Sequence, residues 1–282
     1  MKLRHVPARR GAAWVRHGFA VFARRPLAFV ALFTAFLFFA LVAAVLPLVG
    51  PLLLLAALPL VSLGFMRATH RVLQGRFPTL AVFFTPLKRE RGAAGPLIRL
   101  GLLYAVATMA VMTLSDYADG GTFEALQEAL AGSRHGGGAS RAEIAALLAD
   151  PRLEAGMLLR LGLAALLSLP FWHAPALIHW ASQGVGQSLF SSTLACWRNR
   201  GAFLVYGLAW LGVLLGFGVV LNLAAALLAQ PELVELVAVP AGLLFSTVFY
   251  VSLWFTFADS FAPSDASSVP PAAALGAEGA QE

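Results

Sequence analysis

Charge is what this sequence has least of. Only 12% of its 282 residues are charged, against 59% hydrophobic, and the mean hydropathy is +0.79. A soluble domain carries about twice that share of charge. So few charges exclude a water-covered globule of this size and leave lipid as the solvent for its surface. Cysteine is almost missing too. The single Cys196 excludes an internal disulfide and reads as a small, buried apolar residue. Recognisable catalytic spacing is also lacking: there is no H-E-x-x-H, no G-x-S-x-G and no phosphate-binding G-x-x-x-x-G-K. The sequence therefore indicates no enzyme class, no metal and no cofactor.

What is present is a set of long apolar runs bracketed by arginine. No charged residue occurs between Pro26 and Met66. As one helix that stretch would be about 60 Å long, twice the ~30 Å hydrocarbon core. Pro47, Gly50 and Pro51 divide it, giving spans near 27–47 and 51–67, the second kinked by Pro59. Further spans fall near 96–114, 157–180, 202–229 and 236–258. The start is basic, but the apolar stretch behind it is far longer than the core of a signal peptide. The fold expected is all-α: a polytopic membrane protein with six transmembrane helices over residues 26–261.

Lysine and arginine set the orientation. Lys2, Arg4, Arg9, Arg10, Arg16, Arg24 and Arg25 precede the first span. Arg67, Arg71, Arg76, Lys88, Arg89 and Arg91 follow the second, and Arg198 and Arg200 precede the fifth. With six crossings these fall on one side, which places both termini in the cytoplasm of a bacterial inner membrane. The net charge of +6 thus flanks apolar runs and does not line a polar face. Its expected partners are anionic lipid headgroups, at about 1 kcal/mol per basic side chain, and not nucleic acid.

The loop 115–156 is the one sizeable polar excursion and is expected outside the cytoplasm. Thr122 is placed to cap a short helix there, and Ser140 with Glu143 forms a capping box for another. Residues 262–282, rich in Pro, Ala and Ser, read as a disordered cytoplasmic tail. Within the basic segment 1–25, Trp14, Gly18, Val21 and Phe22 recur at helical spacing, as in an amphipathic helix lying in the inner interface. Leu189, Phe190, Leu194 and Trp197 do the same before the fifth span. Aligning Arg25 with Arg200 pairs Phe22 with Trp197 and Ala20 with Ala195, and a helical hairpin follows each block. A parallel internal repeat is a possibility.

Phe171-Trp-His-Ala-Pro175, Gln187-Ser188-Leu, Ser192, Ala195-Cys-Trp-Arg-Asn199 and Phe203-Leu-Val-Tyr206-Gly207 form a signature that resembles a proteobacterial family of uncharacterised multi-pass inner-membrane proteins. Trp14, Gly18, Phe22 and Pro26, and Gly64 to Gly75 with Pro78 and Phe84, fit the same family. More distantly the pattern is similar to the membrane domain attached to some glycerophosphodiester phosphodiesterases. The resemblance covers most of the chain outside the 115–156 loop and the tail. It implies a six-helix membrane fold and brings no catalytic residues. The acidic and histidine motifs of the phosphodiesterase domain have no counterpart in the sequence.

Polar residues within apolar runs are the candidate sites. Arg99 and Arg160 stand near span ends and are expected to snorkel. His173 and His179, six residues apart, are about 240° apart around a helix and do not make a metal pair. Hydrogen bonds to water, or to backbone freed by Pro170 and Pro175, are the expected role, with a proton relay at His173 as the alternative. Asn222 reads as helix-to-helix glue. Gly212 and Gly216 form a GxxxG that favours close helix contact, within the bundle or between protomers. Asp116, Asp119 and His135 read as a solvated acidic loop. Arg24, Arg25, Arg198 and Arg200 are the candidate lipid-headgroup contacts. These features suggest a non-catalytic envelope protein acting through lipids or partner proteins. The alternative is a small-solute or lipid transporter, which would need a polar cavity at mid-membrane lined by His173, Asn222 or Tyr206.

Overall fold

A computed structural model describes residues 1–47, 49–88, 93–133, 140–230 and 232–262. Within them the chain is almost wholly helical. Helix α1 is Arg10–Arg24, α2 is Pro26–Ala44, α3 is Val49–Leu73, and the short α4 is Ala81–Phe84. Next come α5 (Ala94–Asp119), α6 (Thr122–Ser133), α7 (Arg141–Leu148), α8 (Pro151–Phe171) and α9 (Ala174–Ala181). The last three are α10 (Val185–Arg198), α11 (Arg200–Leu227) and α12 (Glu232–Ser260). Six stretches are long and apolar enough to cross a membrane: α2, α3, α5, α8 continued by α9, α11 and α12. These are the six expected spans, with ends shifted by a few residues.

Local chemistry explains the breaks. Pro26 and Pro151 open α2 and α8 at positions where a missing N–H costs nothing. Asp150 accepts the Arg152 N–H at 2.8 Å and caps α8. Ser140 accepts the Glu143 N–H at 3.2 Å, half of the expected capping box. Thr122 does otherwise: its hydroxyl donates back to the Asp119 carbonyl at 2.8 Å and caps nothing. At the α2–α3 turn a Cβ on Gly50 would overlap the Ala43 carbonyl, so only glycine lets the hairpin close there.

Helices α2, α3, α5 and α8 follow one another as neighbours, and α12 packs on α3. Helix α1 lies between α11 and α12, and α12 meets α1 far more extensively than it meets α11. Strands β1 (Lys2–Leu3) and β2 (Phe261–Ala262) pair antiparallel, Lys2 with Ala262 and Leu3 with Phe261. The start of the chain and the end of α12 thus share one end of the bundle, called here the terminal end. Of the tail expected over 262–282, Ala262 is the end of β2, and residues 263–282 lie outside the described residues, as does His135.

The two amphipathic helices differ in which face meets protein. In α1 the apolar residues Trp14, Val15, Val21 and Phe22 are buried. They pack on α11 and α12, so the stripe expected to lie in lipid is covered by the chain itself. In α10 the buried residues are the small ones, Ser188, Ser192, Ala195 and Cys196, while Phe190, Leu194 and Trp197 point outward. The pairs proposed for a repeat part company here: Phe22 is buried where Trp197 is 64% exposed, and Ala20 is exposed where Ala195 is buried. The order of amphipathic helix then hairpin recurs, but the side chains at matched positions do not share an environment.

Candidate functional site

Among the described residues three polar clusters interrupt the apolar bundle, beside a cleft between its helices. At the terminal end Asn199, 1% exposed, sits in the one-residue joint between α10 and α11. Its Oδ1 accepts the Val6 N–H at 2.9 Å, and its Nδ2 donates to the Arg4 carbonyl at 3.2 Å and to Ser260 Oγ at 3.3 Å. One amide therefore ties the N-terminal strand to the end of α12. One turn away Asp259 accepts Arg10 Nε at 2.9 Å, Arg10 Nη2 at 3.0 Å and Trp14 Nε1 at 2.7 Å. Gly11 and Gly18 make this docking possible. A Cβ on Gly11 would overlap the Ala202 carbonyl, and one on Gly18 would press on Ser252 at 2.8 Å. His17 stacks near Phe255, centroids 5.2 Å apart. Burial, then the positive charges of Arg10 and Arg16, lowers its pKa from 6.5, and the Asp259 carboxylate offsets part of that.

The second cluster is the bend between α8 and α9. The hydroxyl of Ser192 on α10 accepts the His173 N–H at 2.9 Å and donates to the Leu169 carbonyl at 2.8 Å. A side chain from the next helix has thus been inserted into the i→i−4 ladder, a recognised cause of a sharp kink. Cys196 Sγ lies 3.7 Å from the same carbonyl, and burial pushes its thiol up to about 12. At His173 the freed backbone is bonded by Ser192 and not by the histidine ring. The ring, 0% exposed, has no hydrogen-bond partner among the described residues and is walled by Phe203, Phe257 and Phe261. His179 is on α9, edge-on to Trp180 at 5.0 Å. The two histidines lie in separate places.

The third cluster is at the far end. Arg160 Nη2 lies 2.5 Å from Asp116 Oδ1 and 3.3 Å from Asp119 Oδ2, with its guanidinium 3.9 Å over the Phe123 ring. Arg160 was expected to snorkel and Asp119 to be solvated. Instead the Asp119 side chain is 0% exposed, and the pair bolts α8 to α5. A Cβ on Gly156 would strike Asp119, so glycine allows the close approach. Arg99 is exposed near the start of α5.

Asn222 donates to the Gly218 carbonyl of its own helix at 2.8 Å and bridges to no other helix. Gly212 and Gly216 have nothing within 4 Å of an added Cβ, so the GxxxG face is unused within the chain. Among the described residues close approaches are made instead at Gly11, Gly18, Gly50, Gly64, Gly101 and Gly156, of which Gly11, Gly101 and Gly156 were marked by no motif. Tyr206 is buried against Ser252 Oγ at 2.7 Å, so His173, Asn222 and Tyr206 line no common cavity. Arg24, Arg25, Arg198 and Arg200 are all exposed, and Arg200 lies 5.5 Å over the Trp197 ring. No cluster of three or more metal-binding side chains occurs among the described residues.

The cleft lies where α3, α5, α8 and α12 converge and has a volume of about 170 Å³. Its lining includes Pro59 and Ser62 of α3, Tyr104 of α5, Ser168 of α8, Trp172, and Tyr250 of α12.

Comparison with known proteins fits this architecture. No family model matches the chain, and no solved structure matches it. A probable inner membrane protein of Burkholderia thailandensis is 32% identical over 267 residues, which is 93% of this chain and 94% of that protein. With six apolar helices and a relative matched along nearly its whole length, the chain belongs to that family and is a multi-pass inner-membrane protein.

Proposed function

We propose that the protein is a non-catalytic component of the cell envelope that works through membrane lipids, holding anionic headgroups at its terminal end with both termini in the cytoplasm. The outward face of α10 carries this reading. Phe190, Leu194 and Trp197 are 69%, 44% and 64% exposed, with Arg198 and Arg200 following directly. Aromatic rings at bilayer depth with guanidinium groups beside them suit the boundary between acyl chains and phosphate. Arg24 and Arg25, exposed at the junction of α1 and α2, add charge. The orientation rests on the lysines and arginines at the end that holds both termini.

Native mass spectrometry of protein released from mixed phosphatidylglycerol and phosphatidylethanolamine tests the lipid reading. The wild-type chain is expected to retain phosphatidylglycerol preferentially, and a variant with Arg24, Arg25, Arg198 and Arg200 all changed to Gln is expected to lose that preference. Equal retention of both lipids by the wild type would sink the proposal. Reporter fusions at residues 85 and 130 test the orientation, which requires opposite compartments.

A further inference from the structure

We infer that the cleft between α8 and α12 is a binding site for a hydrocarbon chain, entered sideways from the bilayer and holding one acyl chain of a membrane lipid. This rests on the lipid reading above and locates a second contact, for the tail in place of the headgroup.

The opening follows from the packing. Helices α8 and α12 scarcely touch; each instead leans on the α3–α5 layer. What closes the gap toward the terminal end is Trp172, whose Nε1 donates to Thr256 Oγ1 at 3.1 Å and whose ring meets Phe249 edge-on at 6.1 Å. Toward the far end Leu166 of α8 is 64% exposed and Val239 of α12 is 76% exposed, so both helices present apolar surface to the bilayer there. Pro170 lies in the last turn of α8, just before Trp172, where the helix gives way to α9.

The lining selects the ligand. No charged side chain is among the cavity's lining residues, and two of its four hydroxyls are bonded within their own helices: Ser62 Oγ donates to the Pro59 carbonyl at 2.9 Å and Ser168 Oγ to the Ala165 carbonyl at 2.7 Å. A trapped water needs two to four polar partners, and an apolar cavity of roughly 150 Å³ stays dry and takes up hydrocarbon. The volume of about 170 Å³ is of that order. It falls below the ~300–1,000 Å³ range of solute and cofactor sites, which argues for a chain segment and against a headgroup or transported solute.

Trp172 at the closed end is a built-in probe. The wild type and a Trp172→Phe variant are to be reconstituted in phosphatidylcholine brominated mid-chain, and the difference between their emissions isolates Trp172. That component is expected to be quenched several-fold relative to non-brominated lipid. Filling the cleft with Ser168→Leu is expected to abolish most of the quenching, and Ser62→Leu, from the opposite wall, does the same should the first variant fold poorly. The inference is overturned by an unquenched Trp172, or by quenching that persists in both filled variants. The four-Arg variant separates the two readings. If it keeps the quenching, the cleft stands whatever becomes of headgroup preference. If a filled variant keeps phosphatidylglycerol preference, the headgroup reading stands without the cleft.

Discussion

The Asp259 clamp gives the firmest prediction. Replacing Asp259 with Ala removes the acceptor of three hydrogen bonds, two from Arg10 and one from Trp14. Trp14 is 0% exposed, so its indole N–H is left without a partner, a loss of about 1–3 kcal/mol. Breaking a fully buried ion pair costs about 3–5 kcal/mol. Here the Arg10 side chain is 31% exposed and recovers some hydration, so only a fraction of that applies. Together the expected loss is about 3 kcal/mol. Asp259→Asn, which keeps one acceptor oxygen, should cost about half as much. Reversible unfolding by SDS in mixed micelles, followed by tryptophan emission, measures the difference. A cycle with Trp14→Phe should show coupling of about 1 kcal/mol, since the two groups share a bond. A loss below about 0.5 kcal/mol for Asp259→Ala, the level of an ordinary surface substitution, would refute the assignment.

The same assay checks the pH response of His17. Its folded pKa lies below 6.5, so the unfolded chain binds more protons just beneath that pH. This contribution to stability is full above pH 6.5 and is lost as pH falls through the window below it. His17→Gln should therefore lose less stability than wild type between pH 7.5 and 5.5, and parallel losses would count against the reasoning. Cys196, with its thiol pushed up to about 12, should resist maleimide at pH 8 in intact membranes and react only after denaturation; rapid labelling of native protein would contradict its placement. Gly101→Ala and Gly156→Ala should each cost about 1–3 kcal/mol, because the new methyl meets the Ala56 carbonyl or Asp119. Gly212→Ala should stay within about 0.5 kcal/mol of wild type; a large loss there would mean that another surface covers α11.

The spans were legible because charge-free runs and proline positions report directly on the bilayer and on helix termini. The partners of each helix face were not. Periodicity shows that α1 has an apolar stripe but is silent on whether lipid or protein covers it, and here α11 and α12 do. In α10 the large apolar side chains read as the stripe of an interfacial helix, and Phe190, Leu194 and Trp197 do point outward; periodicity did not show that the interior would take the small residues Ser188, Ser192 and Ala195. Asp119 read as solvated because its neighbours in sequence are acidic and glycine-rich; Arg160, 41 residues away, reverses that. The Asn199 bonds to Val6 and Arg4 span 193 and 195 residues, beyond any local pattern. Spacing likewise marks Gly212 and Gly216 as packing candidates, yet only the neighbouring helix decides which glycine is needed.

The knot at Asn199 also bears on the order of assembly. Lys2 and Leu3 pair with residues that leave the ribosome only after every span has been made. Until α12 arrives, Trp14 and its neighbours have no permanent seat, and the nascent chain must hold its first helix in some provisional place. The final helix thus completes the bundle and fastens the beginning of the chain in one event, so a protein truncated before Glu232 would lose both its last span and the anchorage of α1.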